Sequence, residues 1–215
     1  MDKKGIVVIG QGKISRSISK FPGVIGYVKI DEMKKVLSPD NSEYLFDVDP
    51  ENHFGVIGIG KTIYKEIRSK EWKDLGYKLG VLIHPSSFVD ERALIGEGSV
   101  IWPLCYIDDG STIGECTTIG PQCAVRGAKI GNYCHLTIQN KILPESSLED
   151  FVFLGAGATI LEKVSIGKGS VVGANSTVLK NIPERMIYYE KKEGRTKNIV
   201  EGLYYPLTDL EKKIN

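Results

Sequence analysis

Residues 89–125 read VDERALIGEGSVIWPLCYIDDGSTIGECTTIGPQCAV, and one plan recurs in them every six residues. An aliphatic side chain leads each unit: Val89, Ile95, Ile101, Ile107, Ile113, Ile119 and Val125. One residue is then missing, and the register resumes at Ile130, running through Leu136, Ile142, Leu148, Leu154, Ile160, Ile166 and Val172 to Val178. Four places after each lead stands a mostly small or β-branched residue, among them Ser99, Cys105, Thr117, Cys123, Cys134 and Ser176, with Asn140 as the exception. A period of six fits neither the roughly 3.6 of a helix face nor the 2 of simple strand alternation. It fits a short strand and a turn, repeated, with one large apolar side chain pointing inward per unit. Three units close a triangular coil, so residues 18 apart stack, and neighbouring coils hold one another. The repeat predicts a left-handed parallel β-helix.

Gly or Asp follows several leads (Gly96, Asp108, Gly114, Gly120, Gly131, Gly155, Gly167, Gly173), which suggests corners with unusual backbone angles. Cys105 and Cys123 are 18 apart and are expected as packed neighbours in adjacent coils. Both read as small core hydrophobes, not as catalytic or redox thiols.

The segment before the repeat has another pattern. Gly5–Ile9 is a β-branched run followed by Gly10-Gln11-Gly12-Lys13 and a helical stretch with Ile14, Ile18 and Phe21. Strands are expected at Val24–Ile30, Phe54–Ile59 and Val81–Ile83, with a helix over Thr62–Trp72. Alternating strands and helices imply a small parallel α/β sheet of Rossmann-like type. Gly-x-Gly after a first strand lets a backbone approach a phosphate, although Ser15 stands where the full fingerprint has its third glycine. Asp31, 19 residues beyond Gly12, is placed to accept from a nucleoside or is a solvated turn residue. Gly58 and Lys61 follow the third strand on the same sheet edge. Lys61 is open to two readings, pocket lysine or surface helix-start lysine.

An α/β segment, then His84-Pro85-Ser86, then hexapeptide repeats, resembles the sugar acyltransferases of the sialic-acid O-acetyltransferase and UDP-4-amino-sugar N-acetyltransferase group. The motifs carrying the resemblance are VLIHPSSFV (81–89), IGNYCHL (130–136), FLGAGATI (153–160) and VSIGKGSVVGANSTVLKNI (164–182). It covers about residues 5–182. It implies an N-terminal domain that holds the nucleotide of a sugar substrate, β-helices assembled as a homotrimer, and acetyl-CoA as acyl donor in the groove between them. Gly10, Gly12, Lys13, Asp31, Gly58 and Lys61 would then line the nucleotide site. His135 matches a family histidine associated with acyl-CoA and is the candidate catalytic residue. Gly155, Ala156, Ala158, Gly173 and Ala174 would line the CoA cleft.

Two features depart from the family. Its catalytic histidine belongs in the unit Val125-Arg126-Gly127-Ala128-Lys129, which is one residue short and has no histidine. The family's usual Gly-x-Pro-Ala-type loop is replaced by Ile182-Pro183-Glu184-Arg185-Met186. Arg126 could grip a phosphate or carboxylate with its planar fork but cannot act as a base.

The three histidines are His53, His84 and His135. His53 is expected at the surface and His84 in a structural hydrogen bond. His135 lies beside a corner, where it could face a subunit groove. Asn140 needs hydrogen-bond partners if buried, from His135 or the backbone, and is also a candidate substrate contact. An amine nucleophile needs less help from a base than a hydroxyl, which favours N-acylation over sugar O-acetylation. Loss of the histidine and of the loop supports an alternative, a catalytically lapsed sugar-nucleotide-binding or scaffold protein. A zinc site shared across a trimer would need three histidines, and residues 89–215 hold one.

The whole chain of 215 residues carries a formal charge of +1, which gives no electrostatic argument for nucleic acid. No apolar run approaches the roughly 20 residues that span a bilayer, so no membrane insertion is expected. MDKKGIVVIG reads as an opening strand, and four cysteines without metal-ligand spacing fit reduced thiols in the cytoplasm. The expected division is a nucleotide-sugar-binding domain at 1–83, an acyltransferase β-helix at 84–182 and a tail at 183–215 packing back on an edge. No metal is expected.

Overall fold

The computed structural model describes residues 5–10, 12–28, 35–37, 44–189 and 195–198. The N-terminal unit runs β1 (Gly5–Ile9), α1 (Lys13–Ile18), β2 (Val24–Val28), β3 (Lys35–Leu37), β4 (Tyr44–Asp47), β5 (His53–Ile57), α2 (Thr62–Asp74) and β6 (Lys78–Leu79). Its sheet order is β4-β3-β2-β1-β5-β6. The strands β2, β1, β5 and β6 are parallel, while β3 and β4 add antiparallel to the β2 edge. β3, β4 and β6 are too short to carry a sequence period. From β1 the chain goes first to β2 on one side and later to β5 on the other, so the sheet has a switch point where the ends of β1 and β5 diverge.

The strand expected at Val81–Ile83 as part of this sheet is Leu82–Ile83, and it pairs with Val100–Ile101 as the first rung of the coil. The β-branched signal marks a strand but cannot say which sheet it joins. Behind it the coil has three parallel faces. Face one stacks Leu82–Ile83, Val100–Ile101, Thr118–Ile119, His135–Leu136, Phe153–Leu154 and Val171–Val172. Face two stacks Phe88–Val89, Tyr106–Ile107, Ala124–Val125, Lys141–Ile142, Thr159–Ile160 and Thr177–Val178. Face three stacks Leu94–Ile95, Thr112–Ile113, Lys129–Ile130, Ser147–Leu148 and Ser165–Ile166, with Ile182 bridging to Ile166. From Ile101 to Val178 the lead residues are 0–3% exposed and form one continuous core with the cysteines at 105, 123 and 134. Tyr106 pairs with Ala124, which sets Cys105 beside Cys123 as expected.

The glycines after the leads have a different cause from the one expected. None of Gly96, Gly114, Gly120, Gly131, Gly155, Gly167 and Gly173 has positive φ. The left-handed residue of each corner comes two places later: Gly98, Leu104, Gly110, Cys116 and Gln122, then Gly127 within the short unit, then Tyr133 and onward to Asn175. At Gly96, Gly114, Gly131 and Gly155 a Cβ would lie 2.5–2.7 Å from atoms of the next coil, and at Gly120 it would collide with the Thr137 carbonyl. These glycines let coils approach, while the turn itself is made by the residue at positive φ.

The N-terminal unit covers face one. Val8, Ile18 and Val56 share a cluster with Leu82 and Val100, and Cys116 joins the cluster of Val7, Ile9, Trp72 and Leu79. Ile57 N–H donates to the Gly98 carbonyl at 3.1 Å across the junction. At the far end Met186–Tyr189 adds parallel to Val171–Val172, and Arg195–Asn198 adds antiparallel to it. No helix among the described residues is long and apolar enough to cross a membrane.

Candidate functional site

Three places hold the candidate residues. The first is the switch point. Gly10 follows β1 at φ +144° and donates to the Val28 carbonyl, and Gly58 N–H donates to the Ile9 carbonyl, so both glycines are laced into the sheet's carboxyl edge. A Cβ on Gly58 would strike Ser15 at 2.9 Å, and one on Gly10 would press the Gly58 carbonyl at 3.1 Å. Ser15, buried, donates from Oγ to the Gly12 carbonyl at 2.8 Å. Ser15, which stands where the dinucleotide fingerprint has its third glycine, thus binds back to the loop that precedes α1. A Cβ added at Gly12 would meet nothing within 4 Å, and Lys13 is exposed. Lys61 caps α2 with its ammonium 5.6 Å from the Tyr64 ring centre. Asp31 lies outside the described residues.

The second place is the buried seam between α2 and face one. His135 is 8% exposed, lies parallel to Phe153 with ring centres 5.5 Å apart, and is enclosed rather than set on an open groove. Its Nδ1 is buried without a hydrogen-bond partner. Burial, then the neighbouring Lys65, hold its pKa well below the ordinary 6.5, so the ring is neutral at neutral pH. The sequence pattern does not single out Lys65, yet it is fully buried, donating from Nζ to Thr118 Oγ1 at 2.9 Å and to the Cys134 carbonyl at 2.6 Å. Desolvation lowers its pKa to about 7. The signal that could have found it is the row Thr62, Lys65, Ser69, Trp72, the helix's buried face, which is mostly polar while Tyr64 and Ile67 face solvent.

The third place is the coil's corners. Ala156 and Ala174 lie 18 residues apart after successive rungs of face one, and neither amide donates to a protein acceptor among the described residues. Gly155 and Gly173 flank them, with their own N–H groups bonded to Val172 and Tyr188. Ala158 faces the core at 0% exposure, and its N–H and carbonyl are both engaged, by Gly155 and Lys141. It has nothing to offer a cleft. Asn140 is likewise inside the coil at 0% exposure, donating from Nδ2 to the Gly155 carbonyl at 2.6 Å. The amide is satisfied by the backbone and not by His135, and it has no face toward a substrate. Arg126 projects from the short corner between faces two and three, paired with Asp108 at 3.4 Å, away from the N-terminal unit on face one.

The other titratable groups settle into structural roles. His53 is not at the surface: it opens β5 at 4% exposure and accepts the Asp49 N–H at Nδ1, 2.8 Å away. His84 is half-buried, with Nδ1 2.9 Å from Ser86 Oγ and its ring edge-on to Phe21. Burial raises the thiols of Cys105, Cys116, Cys123 and Cys134, the last two to about 12, so all four stay protonated at neutral pH.

The architecture is a triangular coil of hexapeptide rungs with an α/β unit seated on one face. Residues 92–127 and 145–180 match the bacterial transferase hexapeptide (six repeats) family. Short stretches resemble curated enzymes. Forty residues are 52% identical to 2,3,4,5-tetrahydropyridine-2,6-dicarboxylate N-acetyltransferase of Clostridium perfringens, covering 19% of this chain and 17% of that one. Forty-two residues are 48% identical to galactoside O-acetyltransferase of Lactococcus lactis, 20% of each chain. The match thus spans a fifth or less of the length of these relatives. Solved structures agree over nearly the whole chain. The acetyltransferase domain of PglB from Neisseria gonorrhoeae in complex with acetyl coenzyme A has a TM-score of 0.79 at 19% identity, over 91% of this chain and 100% of that one. PerB from Caulobacter crescentus in complex with CoA and GDP-perosamine has a TM-score of 0.71 at 24% identity, over 90% and 97%. The chain carries hexapeptide repeats of the bacterial transferase type and has the two-part fold of these acetyltransferases.

Proposed function

We propose that this protein is an acyl-CoA-dependent acyltransferase, acetylating the amine of a nucleotide-linked sugar in glycan or surface-polysaccharide biosynthesis. The observation that carries the reading is that the likeness to PerB, solved with CoA and a nucleotide amino sugar, includes the N-terminal unit as well as the coil. The switch point of a Rossmann-like sheet at Gly10, Gly12 and Gly58, with Lys13 and Lys61 beside it, suits a diphosphate. The unsatisfied amides of Ala156 and Ala174, and the partnerless Nδ1 of His135, suit the amide-rich arm and thioester of an acyl-CoA. Working in a cytoplasmic homotrimer with left-handed coils, a neighbouring face would complete the cleft.

The thioester supplies an activated acyl carbon. Attack by the amine lone pair forms the C–N bond and breaks the C–S bond, and the amine's proton must then leave. A neutral His135 can accept that proton where an imidazolium could not. Arg126 stays charged and can only bind. Calorimetric titration with acetyl-CoA, with and without a UDP-amino sugar, tests the reading: one site per chain is expected, and absence of binding under both conditions counts against it.

The corner Val125–Lys129 favours a second reading. It lacks a histidine and is one residue short, which fits a protein that binds nucleotide sugars without transfer. Saturable sugar-nucleotide binding with no thiol release would select it.

A further inference from the structure

Lys65 is an ionisable side chain with no part in the proposed reaction, yet it reaches from α2 to face one of the coil and is wholly buried there. Its two acceptors bracket one imidazole. Thr118 stands directly across the rung from His135, and Cys134, whose carbonyl it grips, immediately precedes His135. Phe153, on the next rung, closes the ring's other side. The titratable groups facing Lys65 from the coil are Cys116, Cys134 and His135. Both thiols are protonated, pushed to about 11 and about 12 by burial. On its own helix Ser69 faces Cys116 and Tyr133, with Glu66 near the same tyrosine. At the rim Glu115 is taken by Lys73 at 2.9 Å. Among the described residues no carboxylate acts on Lys65 itself. A cation buried without an anion repels a second cation strongly, because the surroundings screen so little.

We infer that Lys65 is a positioning residue for His135: through Thr118 and Cys134 it fixes the rung that carries the imidazole, and it sets a cation against that ring. The inference rests on the reading that His135 meets the acyl donor. Its consequence is that the ring resists protonation as the medium becomes acidic, because Lys65 gains its own proton near pH 7 and is charged before His135 would be. The imidazole therefore keeps a lone pair free to accept a hydrogen bond, while Lys65 touches neither substrate nor donor.

Histidine-selective NMR titration of the full chain tests this. In the wild type the His135 midpoint lies below the ordinary 6.5, and Lys65→Met raises it by about one unit. Thr118→Val removes one tether and keeps the charge, so the midpoint stays low. A folded Lys65→Met with an unmoved midpoint overturns the inference, as does a Thr118→Val shift equal to that of Lys65→Met. So does a wild-type midpoint at or above 6.5, which needs no variant to fold. In turnover the acid limb of kcat/KM moves up with the imidazole in Lys65→Met. Absence of turnover at every pH beside the expected NMR shift sinks the acyltransferase reading and leaves the role of Lys65 standing.

Discussion

Gly120 and Gly110 occupy the coil for opposite reasons, and substitution separates them. Gly120 has ordinary backbone angles but no room, since a methyl group would meet the Thr137 carbonyl of the next coil. Gly110 has φ +69° and no heavy atom closer than 4.0 Å to an added Cβ. Gly120→Ala should cost about 3 kcal/mol, because backbone and not a side-chain tip must yield. Gly110→Asn should stay within about 1 kcal/mol, because asparagine tolerates the left-handed region and the corners at Leu104 and Gln122 already hold non-glycine residues there. Urea denaturation of the two variants decides it, and equal losses would show that the two glycines do the same job. Asn140 belongs to the same scale: Asn140→Ala removes the side-chain donor to the Gly155 carbonyl and should lower stability by about 1 kcal/mol, leaving any substrate KM unchanged.

At the scale of elements, α2 carries a buried base into the seam, and stability should report it. The Lys65 pKa is 10.5 in the ordinary state and about 7 when folded, so the unfolded chain binds the extra proton between those values. Stability therefore rises with pH from 7 toward 10.5 by about 1.4 kcal/mol per unit, and is flat in this respect below 7. The buried cysteines act oppositely above pH 9, where the unfolded thiols ionise and the folded ones do not. Between pH 7 and 8.5 the lysine acts alone among these groups. Wild-type unfolding free energy should grow by about 2 kcal/mol across that interval, and Lys65→Met should remove the rise. Parallel curves for the two proteins would contradict the burial of an unpaired amine.

Over the whole molecule, the repeat was legible because each rung spends one large aliphatic residue on a core that no other fold would place at a period of six. The same text concealed the reason for Gly96 or Gly131, since close approach of coils is a relation between residues 18 apart and not a local preference. It also concealed the seam. α2 turns Thr62, Lys65 and Ser69 inward and leaves Tyr64 and Ile67 out, which reverses the usual amphipathic reading, and only the docked coil explains it. His135 was legible as a candidate by resemblance, whereas its enclosure by Phe153 and Lys65 required the fold. Because Val8, Ile18 and Val56 share a core with Leu82 and Val100, the two parts should unfold in one transition, and two separated transitions in calorimetry would contradict this.

The proposed activity is transfer of an acyl group from CoA to a nucleotide-linked amine. It is met head-on by incubating the full chain with acetyl-CoA and a panel of nucleotide-linked amino sugars, following free thiol and N-acylated sugar together. Equal amounts of both are expected, dependent on the sugar amine and absent with the matching hydroxy sugar. Saturable binding of the nucleotide sugar with no thiol released by any member of the panel would contradict acyl transfer.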